Sequence, residues 1–147
     1  MVGMCQTPGL RTCLYLMIRL NSTYFAFYGD DCWSTPLYVP INQWHHFGFV
    51  YDYNLYTQYI YLNGVPICTH SSSGPFLGSS GAITIGAINN TGTTPYYFWT
   101  GYIDQVTYVS RAKSADEMLT DATLVVYYSF DNGSFADLGP NSIVGVS

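Results

Sequence analysis

Apolar and polar residues alternate along most of the chain with a period of two, which is the spacing typical of β-strands. Short runs rich in Tyr, Val, Ile, Phe and Thr recur between clusters of Gly, Pro, Asn and Ser. Only residues 111–121 have a helical pattern, and Ser114 with Glu117 forms a capping box there. Because no strand alternates with a long helix, neighbouring strands are expected to pair antiparallel. The pattern predicts an all-β sandwich or barrel with one short helix.

The first predicted hairpin pairs residues 13–20 with residues 25–32. If paired residue numbers sum to 45, the aliphatic side chains around Leu16 share one face with Phe27. That face is expected to be the core face, and it includes Ile18. The opposite face then carries Tyr15, Met17 and Arg19.

The second predicted hairpin turns at Asn63-Gly64, because both residue types tolerate a positive φ. Its paired numbers sum to 127, which places Ile60 inside. Pro66 cannot donate to a strand ladder, so its strand is expected at a sheet edge or with that amide position facing away from its partner. In residues 44–52, which include Val50, the side chains expected on each of the two faces of the strand are apolar. This pattern predicts a central strand that is covered on both faces.

Four cysteines are present, and they permit three pairings. The first hairpin's register places Cys13 opposite Cys32 and favours a disulfide between them. Cys5 and Cys68 would then be partners or free thiols. The alternative is that all four are reduced, as in the cytosol.

Three sites match the N-glycosylation acceptor pattern: Asn21, Asn89 and Asn132. A chain rich in Ser and Thr meets this pattern partly by chance. Together with the cysteines, these sites favour an extracellular or cell-surface location.

Composition removes several classes of function. The 147 residues fit one domain, and with 48% hydrophobic residues the chain is too apolar to be disordered. Four basic residues and a net charge of −5 argue against a nucleic-acid partner. The apolar runs are too short to cross a membrane, and we expect neither a membrane span nor a signal peptide.

Three motifs follow one another in a family-specific order: Trp-x-His within 42–52, a strand with an Asn-Gly turn in 59–64, and Gly-x-Ile-Asp-x-Val in 101–106. With the capped helix that follows, this order resembles the laminin G-like branch of the concanavalin A-like jelly rolls. The resemblance covers roughly residues 13–120. It implies an antiparallel two-sheet jelly-roll sandwich, in which residues 101–106 form the closing strand.

The segment that resembles the family's opening strand lies at the other end of the chain. Residues 127–131, Tyr-Tyr-Ser-Phe-Asp, resemble that opening strand, whereas nothing similar precedes Cys13. We therefore expect a laminin G-like domain at 1–123 that lacks its first strand. Residues 124–147 would be the opening of a following unit in a tandem array, or would fold back to complete the same sandwich beside 101–109.

The resemblance also implies a structural calcium ion where the first and last strands meet. The matching positions are Asp104 and Asp131, with Asp137 as a further candidate. The alternative is that Asp104 hydrogen-bonds nearby amides and Asp131 begins a turn.

Catalysis is not expected. Glycosidases need two carboxyl groups across one bond, yet Glu117 is the only Glu and belongs to the helix cap. Asp30 and Asp31 are strand neighbours that point to opposite faces. The Glu-x-Asp-x-x-Glu strand of the related glucanases is absent.

Fifteen Tyr and three Trp are the most unusual feature of the composition. Their rings suit contact with sugars or with a partner protein, although Tyr is also a good strand former. The candidate ligand-binding residues are Asp30, Asp31, Trp33, Tyr97 and Trp99. The expected function is a non-catalytic extracellular recognition or adhesion module that binds a glycan or an extracellular protein. The alternatives are a structural spacer that packs against neighbouring like domains, or a carbohydrate-active enzyme domain.

Overall fold

The described part of the chain forms two antiparallel sheets and one short helix. The computed structural model describes residues 1–5, 7–35, 39–78, 82–88 and 97–123. The strands are β1 (Val2–Met4), β2 (Leu14–Arg19), β3 (Ser22–Ala26), β4 (Asp31–Trp33), β5 (Phe47–Asp52), β6 (Thr57–Leu62), β7 (Val65–Ser71) and β8 (Thr84–Ile85), and the helix is α1 (Ala115–Thr123). The sheet orders are β4-β3-β2-β1-β8 and β5-β6-β7. This arrangement confirms the predicted all-β sandwich.

The core between the sheets is aromatic and aliphatic. Phe25 and Phe27 from β3 and the loop after it pack with Ile60 from β6, and all three are buried. Phe25 also meets Phe49 of β5 edge to face, with ring centroids 5.9 Å apart. Such ring pairs stabilise a core beyond the area that they bury. The predicted core residues Leu16, Phe27 and Ile60 therefore contribute to this layer.

The register of the first hairpin differs from the predicted one. Leu16 lies opposite Phe25, so that paired numbers sum to 41 and not to 45. The cause is a tighter turn, in which Leu20 and Asn21 both take positive φ values, 49° and 61°. The shift is an even number of residues, so the core face was predicted correctly although the pairing was wrong.

The second hairpin turns at Asn63-Gly64 as predicted, with φ values of 51° and 79°. Leu62 pairs with Val65 in the expected register, but a shift between Ile60 and Tyr61 places Ile60 opposite Cys68. Such a bulge changes which side chains of the later part of the strand face the core. Among the described strands, β7, which contains Pro66, lies at the edge of its sheet, as predicted.

The predicted central strand at 44–52 is shorter than expected. β5 begins at Phe47, and Trp44 is 68% exposed. Among the described strands, β6 and not β5 is in the middle of this sheet. Both faces of β5 are nevertheless covered, because Phe49 packs into the core between the sheets and Val50 packs beneath α1.

Helix α1 begins at the predicted capping box. The Ser114 amide donates to Glu117 Oε2 over 2.8 Å, and the Glu117 amide donates to Ser114 Oγ over 3.2 Å. Met118 fixes the helix on the outer face of β5-β6-β7, where it is buried against Val50 and Tyr61. Gly48 permits this approach, since a Cβ there would lie 2.0 Å from Met118 Cε.

Residues 101–109 do not form the expected closing strand in the described structure. Gln105 has a φ of 51°, which breaks the extended backbone, and Tyr102 and Tyr108 are each 87% exposed. The strand that was expected to pair with this segment belongs to 124–147, which lies outside the described residues. The predicted boundary at residue 123 and the fate of that tail therefore stay predictions.

The disulfide prediction was wrong. Cys13 pairs with Cys5, and Cys32 pairs with Cys68. Met4 lies opposite Leu14 in β1 and β2, so Cys5 and Cys13 are the next cross-strand pair. Cys32 is on β4, not opposite Cys13, because of the tighter first hairpin, and its bond to β7 joins the two sheets.

Candidate functional site

The candidate site lies on the outer face of the five-stranded sheet. Leu14 and Leu16 of β2 contact the core between the sheets, so Tyr15, Met17 and Arg19 point the other way. Tyr15 and Met17 pack there in a second cluster with the Cys5–Cys13 disulfide, Ala26 and Ile88. This cluster forms a buried apolar layer on the outer face of the five-stranded sheet.

Residues 97–100 cross this face and are anchored to it through the backbone. The Trp99 amide donates to the Gly86 carbonyl over 2.7 Å, and the Gly86 amide donates to the Met1 carbonyl over 2.8 Å. These main-chain bonds fix the aromatic segment to the end of β8 and, through Gly86, to the residue before β1. The positions of the Tyr97, Phe98 and Trp99 rings therefore depend on main-chain bonds to the sheet as well as on the conformation of the loop.

Between this segment and β2 lies a cavity of about 290 Å³, which we call the aromatic cavity. Its wall includes Tyr97, Phe98 and Trp99 on one side and Met17 and Arg19 on the other. The Arg19 guanidinium carbon lies 5.4 Å from the centre of the Tyr97 ring, within cation–π range. The cavity therefore combines flat apolar surfaces with the positive charge of Arg19.

Trp33 extends the same face beyond the cavity. Met17 lies opposite Tyr24, and Tyr24 lies opposite Trp33, so all three side chains are on one face. With neighbouring strands about 4.8 Å apart, the Trp33 backbone is about 10 Å from that of Met17. Trp33 is 57% exposed. Two separated aromatic positions on one surface suit an extended ligand better than a small round one.

Three of the predicted ligand-binding residues thus share a surface: Trp33, Tyr97 and Trp99. Asp30 lies elsewhere, in the turn between β3 and β4, whereas Asp31 is the first residue of β4 and is on the same face of that strand as Trp33. Both Asp30 carboxylate oxygens bind inside the protein, with His70 Nε2 2.8 Å from Oδ1 and the Ser73 amide and hydroxyl each 2.9 Å from Oδ2. The Arg11 Nε is 4.0 Å from Oδ2. Asp30 is therefore a bridge between the two sheets.

The charge state of Asp30 follows from these contacts. Burial opposes its ionisation, but the hydrogen bonds from His70 and Ser73 outweigh burial and lower the pKa of Asp30 below its usual value. The carboxylate is thus held as an anion. Asp31 is also engaged internally, because its Oδ1 accepts from the amides of Phe27 and Asp30.

The predicted calcium ligands are only partly described. Asp104 is exposed, and its Oδ1 accepts the Gln105 amide over 2.7 Å, which agrees with the alternative of a carboxylate bound to a nearby amide. Asp131 and Asp137 lie outside the described residues. In the described ranges no three His, Cys, Asp or Glu side chains are grouped to hold a metal ion.

Of the three glycosylation candidates, one is among the described residues. Asn21 is exposed in the tight turn between β2 and β3, where its side chain is accessible. Asn89 and Asn132 lie outside the described residues.

Glu117 is fully engaged at the start of α1. It forms an ion pair with Arg111 in addition to the cap. The Arg111 hydrogen bonds, with those from Ser114, lower the pKa of Glu117 to about 2. A general acid needs a carboxyl that holds its proton near neutral pH, so Glu117 is unsuited to that role.

Sequence reasoning did not include Arg19 and Met17 in the site. A signal was available, because both alternate with Tyr15 on the strand face opposite the core. What the sequence did not show was that residues 97–99, almost eighty positions later, cross that particular face.

The fold and site define a β-sandwich domain with an aromatic cavity on one sheet. The chain belongs to the family described as the Concanavalin A-like lectin/glucanases superfamily, whose laminin G-like profile matches residues 13–118. This range is well over half of the chain, and it confirms the family resemblance of the sequence motifs.

The chain also aligns with a solved structure, the crystal structure of an S-layer domain-containing protein (residues 221–444) from Clostridium thermocellum. The TM-score is 0.47 and the sequence identity is 21%, with 78% of this chain and 58% of that chain covered. The chain thus spans a little over half the length of that structure. A search of curated proteins found no match.

One further finding concerns membranes. In the part of the chain that the structure describes, no helix has both the length and the apolar character needed to span a bilayer.

Proposed function

We propose that this domain is a non-catalytic extracellular recognition module that binds a glycan on the outer face of its five-stranded sheet. The observation that carries the proposal is that Trp99 and Tyr97 line a cavity on the same face as Trp33. Aromatic rings offer flat apolar faces to the C–H groups of a sugar at low cost in side-chain entropy. Membership of a lectin and glucanase superfamily is in keeping with this ligand.

The extracellular location is supported by two disulfide bonds, which persist in oxidising compartments. The exposed acceptor Asn21 points the same way. The non-catalytic character is supported by the chain's only Glu, whose pKa is lowered in a helix cap. A structural calcium ion at Asp104, Asp131 and Asp137 stays a prediction of the family resemblance.

The three tryptophans allow a matched test of the proposed function. Trp99→Ala should weaken glycan binding about tenfold or more, since it removes one stacking surface. Trp33→Ala should weaken binding of long oligosaccharides more than that of short ones. Trp44→Ala is the control, because Trp44 is exposed in the loop before β5, the strand that begins the other sheet. Binding is measured by a glycan array followed by isothermal titration calorimetry.

The outcome separates the proposal from its alternatives. Binding that depends on Trp99 and not on Trp44 supports it. No binding to any glycan, with a folded domain by circular dichroism, would leave the structural spacer that packs against like domains. Turnover of a polysaccharide would establish the enzyme instead.

A further inference from the structure

Arg19 differs from the other basic residues in what lies beside it. Arg11 approaches Asp30, Arg111 pairs with Glu117, and Lys113 pairs with Asp121. Arg19 instead lies over the Tyr97 ring. No carboxylate within the described ranges forms an ion pair with it. All four Lys and Arg side chains of the protein are described, and among the described residues Arg19 is the one of them with no carboxylate beside it.

The position of Arg19 is fixed by the fold on both sides. It is the last residue of β2 and lies opposite Ser22 across the tight turn at Leu20-Asn21. Tyr97 holds the guanidinium carbon at 5.4 Å from its ring centre. A cation–π contact of this kind leaves the edge of the planar guanidinium free, and that edge is the part that binds an oxyanion through two parallel hydrogen bonds.

The other side of the cavity is suited to a sugar ring and not to a second charge. Met17, Phe98 and Trp99 are apolar or aromatic, and no acidic side chain is among the described residues that line the cavity. The whole chain carries a net charge of −5, so its long-range field does not attract anions. A preference for an anion therefore has to come from a local contact, and Arg19 is the Lys or Arg side chain that lines the cavity.

We propose that the aromatic cavity selects a saccharide that carries an anionic group, a carboxylate or a sulfate ester. The oxyanion binds the Arg19 guanidinium, and the sugar ring lies against Trp99. This inference rests on the proposed function and adds the ligand's chemical class to it. Neutral sugars of the same backbone would keep the stacking contact but lose the charge-assisted hydrogen bonds.

The experiment uses matched pairs of ligands and a variant of equal charge change. The ligands are uronic acid oligosaccharides with their methyl esters, and sulfated oligosaccharides with their desulfated counterparts. The proteins are wild type, Arg19→Gln and Arg111→Gln. Both substitutions remove one positive charge, but Arg111 lies beside α1 on the other sheet and away from the cavity.

We expect wild type to bind at least one acidic ligand about tenfold or more tightly than its neutral partner. Arg19→Gln should abolish that preference while binding of the neutral partner persists, and Arg111→Gln should keep it. A preference for the carboxylated or for the sulfated member supports the inference and identifies the source of the anion.

Three results would overturn the inference, and they differ in whether the proposed function also fails. Equal affinity for acidic and neutral partners, with dependence on Trp99 retained, would reject the role of Arg19 and leave the glycan-binding function standing. A preference that survives in Arg19→Gln would do the same. No binding of either kind of ligand would reject the proposed function and the inference with it.

Discussion

At the scale of single residues, Asp30 shows how a buried carboxylate is stabilised by hydrogen-bond donors of the protein in place of water. It is 6% exposed and accepts hydrogen bonds from Ser73, with His70 and Arg11 alongside. Ser73 and His70 come from the end of β7 and the residues after it, whereas Asp30 precedes β4. One buried anion thus ties together segments of both sheets, which is why it is unavailable to a ligand.

The lowered pKa of Asp30 predicts how stability depends on pH. A group whose pKa is lower in the folded state contributes stability above its unfolded value, here 3.8, and loses it as the pH falls through the folded value. Asp30→Asn should therefore unfold more easily at neutral pH, by on the order of 2 kcal/mol. It should also lose part of the wild-type decline in stability below about pH 4.

Urea unfolding at several pH values tests this prediction. Asp116→Asn is the control, because Asp116 is exposed in the first turn of α1. Equal stability of wild type and Asp30→Asn at pH 7 would show that the buried bridge contributes little.

At the scale of elements, α1 shows how a short helix becomes stable through packing. Nine residues form few helical hydrogen bonds, and helices of this length are marginal in isolation. The capping box satisfies two amides at its start, and Met118 buries its side chain on the sheet. The helix therefore depends on the small residue at Gly48, which lets Met118 approach the strand.

Met118→Ala should destabilise the domain by about 2 to 5 kcal/mol, because it removes the buried anchor and leaves a cavity under α1. The matched control is Leu119→Ala on the same helix. Leu119 is about half exposed, at 48%, so its loss should cost less, about 1 kcal/mol. Thermal unfolding by circular dichroism measures both, and equal effects of the two substitutions would contradict the anchoring role of Met118.

At the scale of the whole molecule, the two disulfides have different effects on the unfolded chain. Cys5–Cys13 closes a segment with a sequence separation of 8 beside the aromatic cavity, whereas Cys32–Cys68 closes one of 36 and joins the two sheets. A longer closed loop removes more conformational entropy from the unfolded state. The bond between the sheets should therefore contribute more to stability.

Removing Cys32–Cys68 by a double Cys→Ser substitution should cost about 4 kcal/mol, against about 2.5 kcal/mol for Cys5–Cys13. Calorimetric or urea unfolding of the two double variants measures the order. The reverse order would mean that strand pairing in the unfolded chain, and not loop length, dominates the effect. Mass spectrometry of proteolytic fragments before and after reduction provides the control, since it checks the pairing itself.

Local features of the chain could be predicted because they depend on neighbours in sequence. The capping box at Ser114 and Glu117, the turn at Asn63-Gly64 and the edge strand of Pro66 were each confirmed. The core face of β2 was also correct, since alternation survives an even shift in register. The pairing of Cys13 was wrong because it depended on the length of one turn, and two residues at positive φ shortened that turn.

The candidate site could be predicted only in part, because it too depends on which strands pair and in which register. The aromatic character of Trp33, Tyr97 and Trp99 marks them as candidates, but their meeting on one face depends on which strands pair. Asp30 was a reasonable candidate from sequence, since an Asp in a turn is usually exposed. Its burial arises from His70 and Ser73, which lie forty or more positions later.

The sequence alone determined the two-layer β architecture, the short capped helix and the abundance of rings, because alternation and capping are properties of neighbouring residues. Only the tertiary structure decided the cysteine pairs, the enclosure of Asp30 and the placement of Arg19 beside Tyr97. Each of these depends on contacts between segments far apart in the chain. Strand register and turn length set such contacts, and a change of one or two residues in either rearranges them.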